Sequence, residues 1–187
     1  MGYFDNKKNI DEYIKMAEGY DGRELIEILK KYLEKGSSIL ELGMGPGKDL
    51  EILNEIFNVT GSDNSQIFLD IYRKKNKETK LILLDAVEMN IDKKFDCIYS
   101  NKVLHHLTKD NLRKSLIKQS EVLNSNGLLF HSLWYGDKEE EFSGLRFIYY
   151  TEDTFSKLIG NEYKILEIKK YTEFEEDDSM YAILKNK

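Results

Sequence analysis

Three glycines at alternate positions, Gly43, Gly45 and Gly47, have the spacing most suggestive of chemistry in this chain of 187 residues. They follow a short apolar run, Ser38 to Leu42, and precede a segment with helical periodicity. Glycine allows the backbone to turn tightly and a ligand to lie close against it. The start of a helix adds free N–H groups and the positive end of the helix dipole. This loop therefore predicts either a binding site for a polar ligand or an ordinary strand–helix turn.

Polar residues at the ends of the next three apolar runs favour the binding site. Asp63 ends the first of these runs, Asp85 and Ala86 follow the second, and the third ends at Ser100. In an open parallel sheet, ligands lie at the carboxyl ends of the strands. Asp63 can accept hydrogen bonds from both hydroxyls of a ribose there, and Asp85 can accept one from an adenine amino group. Each residue alone also fits a turn or a helix cap, but their occurrence after successive strands indicates one site.

The elements that must position these residues alternate between strand and helix, which indicates an α/β fold with a parallel sheet covered on both faces. Apolar residues at helical spacing predict the helices, and short apolar runs bounded by turn residues predict the strands. The predicted helices cover about 10–17, 25–33, 50–57, 65–72 and 108–123, and the predicted strands cover 38–42, 59–63, 81–84, 95–100 and 128–134. Ser65 and Thr108 are the expected N-caps of two of these helices.

The last third of the chain departs from this alternation. Residues 136–150 are charged and aromatic without a clean period, and residues 124–127 form a turn cluster ahead of the fifth strand. A short helix is predicted between Thr151 and Gly160. The chain is then expected to end in a hairpin whose strands cover 163–171 and 179–184.

Composition and charge exclude several classes of protein. Hydrophobic residues make up 41% of the chain and charged residues 33%, as in soluble globular domains. The net charge of −6 argues against a nucleic-acid partner, because phosphate binding requires clustered Lys and Arg. The single cysteine, Cys97, cannot form an intrachain disulfide. No apolar run reaches membrane-spanning length. No group of Cys and His residues has the spacing of zinc ligands. We expect a cytoplasmic protein, monomeric or homodimeric, that binds no membrane and no metal.

Taken in order, these motifs resemble those of the class I methyltransferases that depend on S-adenosylmethionine (SAM), particularly the small ones that act on metabolites. The matching stretches are ILELGMGPGKDLEIL (39–53), VTGSDNSQIFL (59–69), LLDAVEMN (83–90), FDCIYSNKVLHHL (95–107) and VLNSNGLLFHS (122–132). The resemblance implies a Rossmann-like three-layer sandwich, with a mostly parallel seven-stranded sheet and an antiparallel strand in the C-terminal hairpin. It also implies one domain over 1–187, divided into a helical N-terminal cap or lid (1–36), a cofactor-binding core (37–134) and an acceptor-side insert, helix and terminal hairpin (135–187).

The resemblance implies SAM as the cofactor and S-adenosylhomocysteine (SAH) as its product. It assigns roles to these residues: Glu41 for the amino group; Gly43, Met44, Gly45 and Gly47 for the methionine part; Asp63 for the ribose; Asn64, Asp85 and Ala86 for the adenine; Ser100 through its backbone carbonyl; and Tyr13 and Tyr20 as a lid. Pro46 and Lys48 depart from the usual loop composition and leave the glycines in place.

The acceptor end is less defined, because methyl transfer from an activated sulfonium requires no single catalytic residue. His105 and His106 follow the fourth strand and are candidates for a general base, although both also fit packing at the start of the next helix. His131 lies within a strand and is expected to be a hydrogen-bonded core residue. Trp134, with Arg146 and Tyr149 of the insert, is a candidate for substrate binding.

A small-molecule acceptor is favoured because the fourth strand is not followed by an Asp/Asn-Pro-Pro-Tyr/Phe motif, which similar enzymes use on planar amino groups. Two alternatives remain open at this stage. The chain could bind SAM without turnover, as a sensor or scaffold, since no catalytic base is evident. It could also be an NAD-dependent oxidoreductase, but the third glycine arrives one residue earlier than in the dinucleotide fingerprint.

Overall fold

The strands form two sheets in the computed structural model, which describes residues 3–142 and 144–187. Their bounds are β1 Ser38–Leu42, β2 Asn58–Asp63, β3 Lys80–Leu83, β4 Phe95–Asn101, β5 Leu123–Trp134, β6 Glu139–Phe142, β7 Leu145–Ile148, β8 Tyr163–Tyr171 and β9 Ser179–Asn186. The main sheet has the order β3-β2-β1-β4-β5-β9-β8, and β6 pairs with β7 in a separate hairpin.

The first five strands of the main sheet are parallel, and β9 runs antiparallel to both of its neighbours, β5 and β8. The register aligns Glu41 of β1 with Gly61 of β2 and with Tyr99 of β4. Strands β1, β2 and β4 therefore end side by side at one edge of the sheet. The predicted mostly parallel seven-stranded sheet with an antiparallel strand in the terminal hairpin is confirmed.

Helices cover both faces of this sheet. Their bounds are α1 Lys7–Met16, α2 Arg23–Leu29, α3 Lys48–Asn54, α4 Gln66–Lys75, α5 Lys109–Val122 and α6 Glu152–Ser156, with short 3₁₀ helices at Tyr3–Asp5 and Leu104–His106. Alternate strand residues enter two apolar clusters, as the pleat of a sheet requires. Leu40 and Ile98 pack with α5 and α6 on one face, whereas Ile39 and Cys97 pack with α2, α3 and α4 on the other. This arrangement confirms the three-layer sandwich.

Several local expectations differ from the structure. The predicted turn at 124–127 lies within β5, where the pairing with β4 shifts register and Asn126 takes a φ of +64°. The insert contains the β6–β7 hairpin, which its composition does not predict. Ser65 begins α4 but its hydroxyl donates to the Phe4 carbonyl at 2.7 Å instead of accepting from the helix. Thr108 does cap α5, and α2 ends four residues before the predicted end of its apolar stripe.

The division of the chain into an N-terminal cap, a core and an acceptor-side segment stays a prediction. None of the helices in the described ranges is long and apolar enough to cross a membrane.

Candidate functional site

A cavity of about 310 Å³ opens beyond the carboxyl ends of β1, β2 and β3. Seven of the residues predicted to bind a cofactor line it: Tyr13, Gly43, Gly45, Asp63, Asn64, Asp85 and Ala86. Glu41, Met44, Gly47, Ser100 and Tyr20 lie outside the lining, and the first four of these are buried or half-buried in the elements behind it. Helix α1 and the ends of the parallel strands thus bring together residues that are up to 73 positions apart, from Tyr13 to Ala86.

The glycine loop is shaped by close approach as well as by backbone conformation. All three of its glycines have positive φ, and a Cβ on Gly43 would lie 2.6 Å from Val103 while one on Gly47 would overlap the Tyr72 ring. A Cβ on Gly45 would meet only Tyr13, at 3.8 Å. Packing therefore requires glycine at the two outer positions, whereas at Gly45 the open space belongs to the cavity.

Asp63 fixes this loop to the end of β2. One carboxylate oxygen accepts the N–H of Gly45 at 2.9 Å and the other accepts the N–H of Ser65 at 2.8 Å. Burial raises the pKa of the Asp63 carboxyl, although these N–H groups act in the opposite direction. The contact with Ser65 holds the turn before α4, and the lone pairs of the carboxylate that remain could accept hydrogen bonds from a ligand.

Glu41 lies beneath the loop at the end of β1 and is 3% exposed. Its Oε2 atom is buried without a hydrogen-bond partner among the described residues. Burial, and then the nearby carboxylates of Asp49 and Asp63, raise the pKa of Glu41 well above its usual value. An unpaired buried carboxylate is costly, so this oxygen marks a position suited to a cationic group.

A buried chain of hydrogen bonds joins the ends of β4 and β3. The Ser100 hydroxyl bonds His131 Nδ1 at 2.8 Å, and His131 Nε2 bonds Gln119 Oε1 at 2.8 Å. Gln119 donates to Ser115 at 2.9 Å, and Ser115 donates to the Ala86 carbonyl at 2.6 Å. His131 is therefore the hydrogen-bonded core residue that the sequence predicts, and burial lowers its pKa to about 3.

Asp85 lines the cavity and also holds its own turn. Its Oδ1 accepts the N–H groups of Val87 at 2.7 Å and Glu88 at 3.3 Å. The turn interpretation of Asp85 is thus satisfied by one oxygen, which leaves the second oxygen for a ligand.

The two neighbouring histidines have different surroundings. His106 lines the cavity, and its Nδ1 lies 2.6 Å from the Arg146 carbonyl oxygen, which can only accept. The neutral ring therefore carries its proton on Nδ1 and a lone pair on Nε2, and burial lowers the pKa of His106. His105 is fully buried and stacks on Phe147, with ring centroids 5.4 Å apart. Neither of its ring nitrogens has a hydrogen-bond partner within the described ranges.

The residues predicted to form a lid or to bind the substrate do not all lie at the same cavity. Tyr13 packs against Phe68 at the cavity, whereas Tyr20 packs against Phe174 outside it, with ring centroids 4.8 Å apart. Trp134 and Tyr149 line a second cavity of about 290 Å³ beside the β6–β7 hairpin. Arg146 reaches the first cavity only indirectly, through the hydrogen bond from its carbonyl to His106.

Lys102 is a cavity residue that the sequence analysis missed. It takes a φ of +55° after β4, and its Nζ donates to the Leu133 carbonyl at 3.2 Å and to Ser179 Oγ at 2.5 Å. The same atom lies 3.5 Å from the centre of the Trp134 ring, and burial lowers the pKa of Lys102 to about 7. No local sequence signal predicts these contacts, because the partners belong to β5 and β9.

Asp49 is the second residue with an unexpected role. Its carboxylate accepts the Gly22 N–H at 2.6 Å, the Tyr99 hydroxyl at 2.7 Å and the Asn101 amide at 3.0 Å. Asp49, in the first turn of α3, thus ties the segment before α2 to the end of β4. No group of three or more His, Cys, Asp or Glu in the described part of the chain could hold a metal ion.

A family model described as a methyltransferase domain matches residues 39–127, just under half of the chain. This range contains the glycine loop, Asp63, Asp85 and both histidines of the 3₁₀ helix. Over residues 39–127 the chain is therefore similar to methyltransferase domains, in line with the resemblance of its motifs to class I SAM-dependent methyltransferases.

Two curated methyltransferases are similar in sequence. One is tRNA (carboxymethyluridine(34)-5-O)-methyltransferase of Arabidopsis thaliana, 33% identical over 110 residues that make up 58% of this chain and 26% of the relative. The other is ribosomal protein L11 methyltransferase of Thermosipho melanesiensis, 32% identical over 112 residues that make up 56% of this chain and 41% of the relative. The chain spans less than half the length of these curated relatives.

Solved structures of methyltransferases share the fold along nearly the whole chain. A SAM-dependent methyltransferase from Clostridium acetobutylicum superposes with a TM-score of 0.78 at 16% identity, covering 97% of this chain and 99% of that one. The 1,6-didemethyltoxoflavin-N1-methyltransferase of Burkholderia thailandensis gives a TM-score of 0.79 at 16% identity, covering 94% and 82%. At such identities the likeness shows that the chain has their fold.

Proposed function

We propose that this protein is an enzyme that binds SAM and transfers its methyl group to a small-molecule acceptor. The observation that carries the proposal is the cavity at the strand ends. It brings Gly45, Asp63 and Asp85 together around a space of about 310 Å³, with the unpaired Oε2 of Glu41 behind the loop. Each polar group there matches one part of SAM.

The fit to SAM follows from the chemistry of these groups. The orphaned carboxylate oxygen of Glu41 suits the ammonium of the methionine part, by direct contact or through water. The remaining lone pairs of Asp63 suit the two ribose hydroxyls. The second oxygen of Asp85, with Ala86 beside it, suits the adenine. When bound, SAM supplies a methyl group that is already activated as a sulfonium.

The chain itself must orient the acceptor and take up its proton. In-line attack requires the nucleophile about 3 Å from the methyl carbon. His106 is the side chain best placed to accept the proton, because it lines the cavity and the Arg146 carbonyl fixes its lone pair on Nε2. Tyr13 lines the same cavity from α1 and helps to exclude water. His105 has no place in this step, since it is buried behind the lining.

A small acceptor is supported by the size of the two cavities and by the loop after β4. The sequence Asn101-Lys102-Val103-Leu104 stands where similar enzymes for planar amino groups carry paired prolines. The curated relatives are named for a tRNA and a ribosomal protein as substrates. The net charge of −6 disfavours the polyanionic alternative for this chain.

Titration calorimetry with SAH tests the proposal. We expect a micromolar dissociation constant, as for a typical cofactor site, and a loss of at least tenfold in Asp63→Ala. Asp70→Ala, an exposed acid on α4, is the matched control. The melting temperature of Asp63→Ala must be checked, because the variant also loses the acceptor for the Gly45 N–H.

The outcomes separate the competing functions. Undetectable SAH binding by the wild type refutes the proposal, and a thermal shift with NAD but not with SAH favours an oxidoreductase. Tight SAH binding without methyl transfer to any member of a broad metabolite panel favours a SAM-binding sensor or scaffold.

A further inference from the structure

The second cavity, beside the β6–β7 hairpin, is lined by aromatic and acidic side chains. Four aromatic rings and two carboxylates line its volume of about 290 Å³: those of Trp134, Phe142, Phe147, Tyr149, Glu140 and Glu141. None of these six lining residues carries a basic side chain. Arg146 lies across the hairpin from Glu141 and outside the lining.

The second cavity and the proposed cofactor cavity have no lining residue in common, but residues that line one contact residues that line the other. Lys102 lines the cofactor cavity, and its Nζ lies 3.5 Å from the Trp134 ring of the second cavity. His106 also lines the cofactor cavity, and its ring centroid is 4.8 Å from that of Phe147. His105, with both nitrogens unpaired, stacks on the same Phe147. These contacts place the second cavity beside the proposed cofactor cavity.

The chain itself shows which group these rings accept. The ammonium of Lys138 lies 4.4 Å from the centre of the Tyr149 ring and 3.1 Å from Glu140 Oε2, and that side chain is 58% exposed. The ammonium of Lys102 lies on Trp134 in the same way. Aromatic faces attract cations through their quadrupole, and Arg or Lys side chains are the usual partners. Two of the four rings thus already hold an ammonium group.

The charge around the second cavity has the complementary sign. Strand β6 begins with three consecutive glutamates, residues 139–141, and the turn at 173–178 contains five acids. Trp134 lies between these segments, because it stacks on Phe174 at 5.7 Å and on Tyr149 at 6.5 Å. Acidic groups on both sides of an aromatic surface raise the local concentration of cations.

We propose that the second cavity is the recognition site for the acceptor, and that the acceptor carries a protonated amine held by Trp134, Tyr149 and the glutamates of β6. This inference rests on the proposed function and specifies its substrate class. The ammonium is the group recognised, and it displaces the exposed Lys138 from the Tyr149 ring. The charge on the acceptor, rather than its shape alone, then sets specificity.

A set of size-matched probes tests this on the full chain saturated with SAH. The probes are 2-phenylethylamine, 3-phenylpropionate and 2-phenylethanol, with binding measured by ligand-observed NMR titration. We expect the amine to bind at least tenfold more tightly than the carboxylate, and its affinity to fall with added salt. The double variant Glu140→Gln/Glu141→Gln should weaken amine binding at least fivefold, while the dissociation constant for SAH stays within twofold. The matched control is the double variant Glu55→Gln/Glu78→Gln, which changes two exposed acids that are distant in sequence from Glu140 and Glu141.

Lys138→Met gives the opposite change and guards against a general loss of structure. Removal of the ammonium that occupies the Tyr149 ring should tighten amine binding about two- to fivefold. Weaker amine binding by Lys138→Met, equal or tighter binding of the carboxylate by the wild type, or no binding of any probe at millimolar concentration would each overturn the inference. Failure of SAH to bind in the first titration would instead remove the proposed function, and the same probes titrated into the ligand-free chain would still report on the second cavity.

Discussion

Replacement of Glu41 by Gln separates what this residue does for the fold from what it does for a ligand. The carboxyl is 3% exposed, its Oε2 is unpaired within the described residues, and the carboxylates of Asp49 and Asp63 add repulsion. Its pKa is raised well above the ordinary value of 4.5, with burial as the largest cause. Gln preserves the shape and removes the ionisable group.

The effect on stability has a defined sign. Because the folded protein holds this proton to a higher pH than the unfolded chain, the free energy of unfolding falls as the pH rises from about 4.5 through the raised pKa. Glu41→Gln abolishes that fall. At pH 7.5 the ligand-free variant should be more stable by about 1–3 kcal/mol, because an unpaired buried charge costs more than the neutral amide that replaces it. For a chain of this size, that raises the melting temperature by about 2–12 °C.

The effect on binding has the opposite sign. A hydrogen bond between charged groups contributes about 1.5–3 kcal/mol, so Glu41→Gln should weaken SAH binding by about 10- to 150-fold. In the wild type, an ammonium beside Glu41 lowers the pKa of its carboxyl, so SAH binding should release a proton below the raised pKa. Titration calorimetry in two buffers of different ionisation enthalpy measures that proton, which the variant should lack.

Glu55→Gln is the control for the loss of an acidic side chain, because Glu55 is exposed. The reasoning is refuted if Glu41→Gln binds SAH as tightly as the wild type, or if its melting temperature does not rise. A variant that is more stable and binds less well would identify Glu41 as a residue kept for its ligand at a cost in stability.

Three further predictions follow from single positions. Gly45→Ala and Gly36→Ala both place a side chain at positive φ, and each should lower the free energy of unfolding by about 1–2 kcal/mol. Only Gly45→Ala should also weaken SAH binding, tenfold or more, because Gly45 lines the cavity. Gly36→Ala is the control, because a Cβ there would meet nothing within 4 Å. Burial raises the pKa of the Cys97 thiol, so iodoacetamide should label it only in denaturant, and rapid labelling of the native protein by mass spectrometry would contradict this. Burial lowers the pKa of His106, so kcat should stay level from pH 8 down to about 6.5 and fall only below it. His106→Gln should lower kcat about 10²- to 10⁴-fold and remove that acidic limb, and an unchanged pH profile would exclude His106 as the base.

The parallel part of the sheet could be predicted because its signals are local. All of its strands except β2, whose one large apolar side chain is Val59, are dominated by apolar residues, and the alternation with helices leaves few possible topologies. The β6–β7 hairpin had no such signal, because consecutive glutamates have low strand propensity. It forms through distant contacts, in which Ile148 enters the core and Phe147 stacks on His105.

The candidate site was predictable where its residues follow the strands and not where it depends on side chains from other strands. Asp63 and Asp85 stand at the ends of apolar runs, so the topology alone brings them to one edge. Lys102 stands at a comparable position, but its partners Leu133 and Ser179 are 31 and 77 residues away in sequence. The environment of such a side chain is a tertiary property, and no pattern within one element contains it.

The buried hydrogen bonds from Ser100 to Ala86 give both ends of the proposed cofactor cavity a common support. Gln119 and Ser115 both belong to α5, and His131 links that helix to the end of β4. Removal of any one member would leave its neighbours buried and unpaired, at a cost of about 1–3 kcal/mol for each group, so the network holds one arrangement. The 3₁₀ helix that carries His106 leads through a single turn into the same α5. In the proposed function, the wall that would face the acceptor and the wall that would face the adenine are thus both connected to α5, which keeps the distance between them fixed.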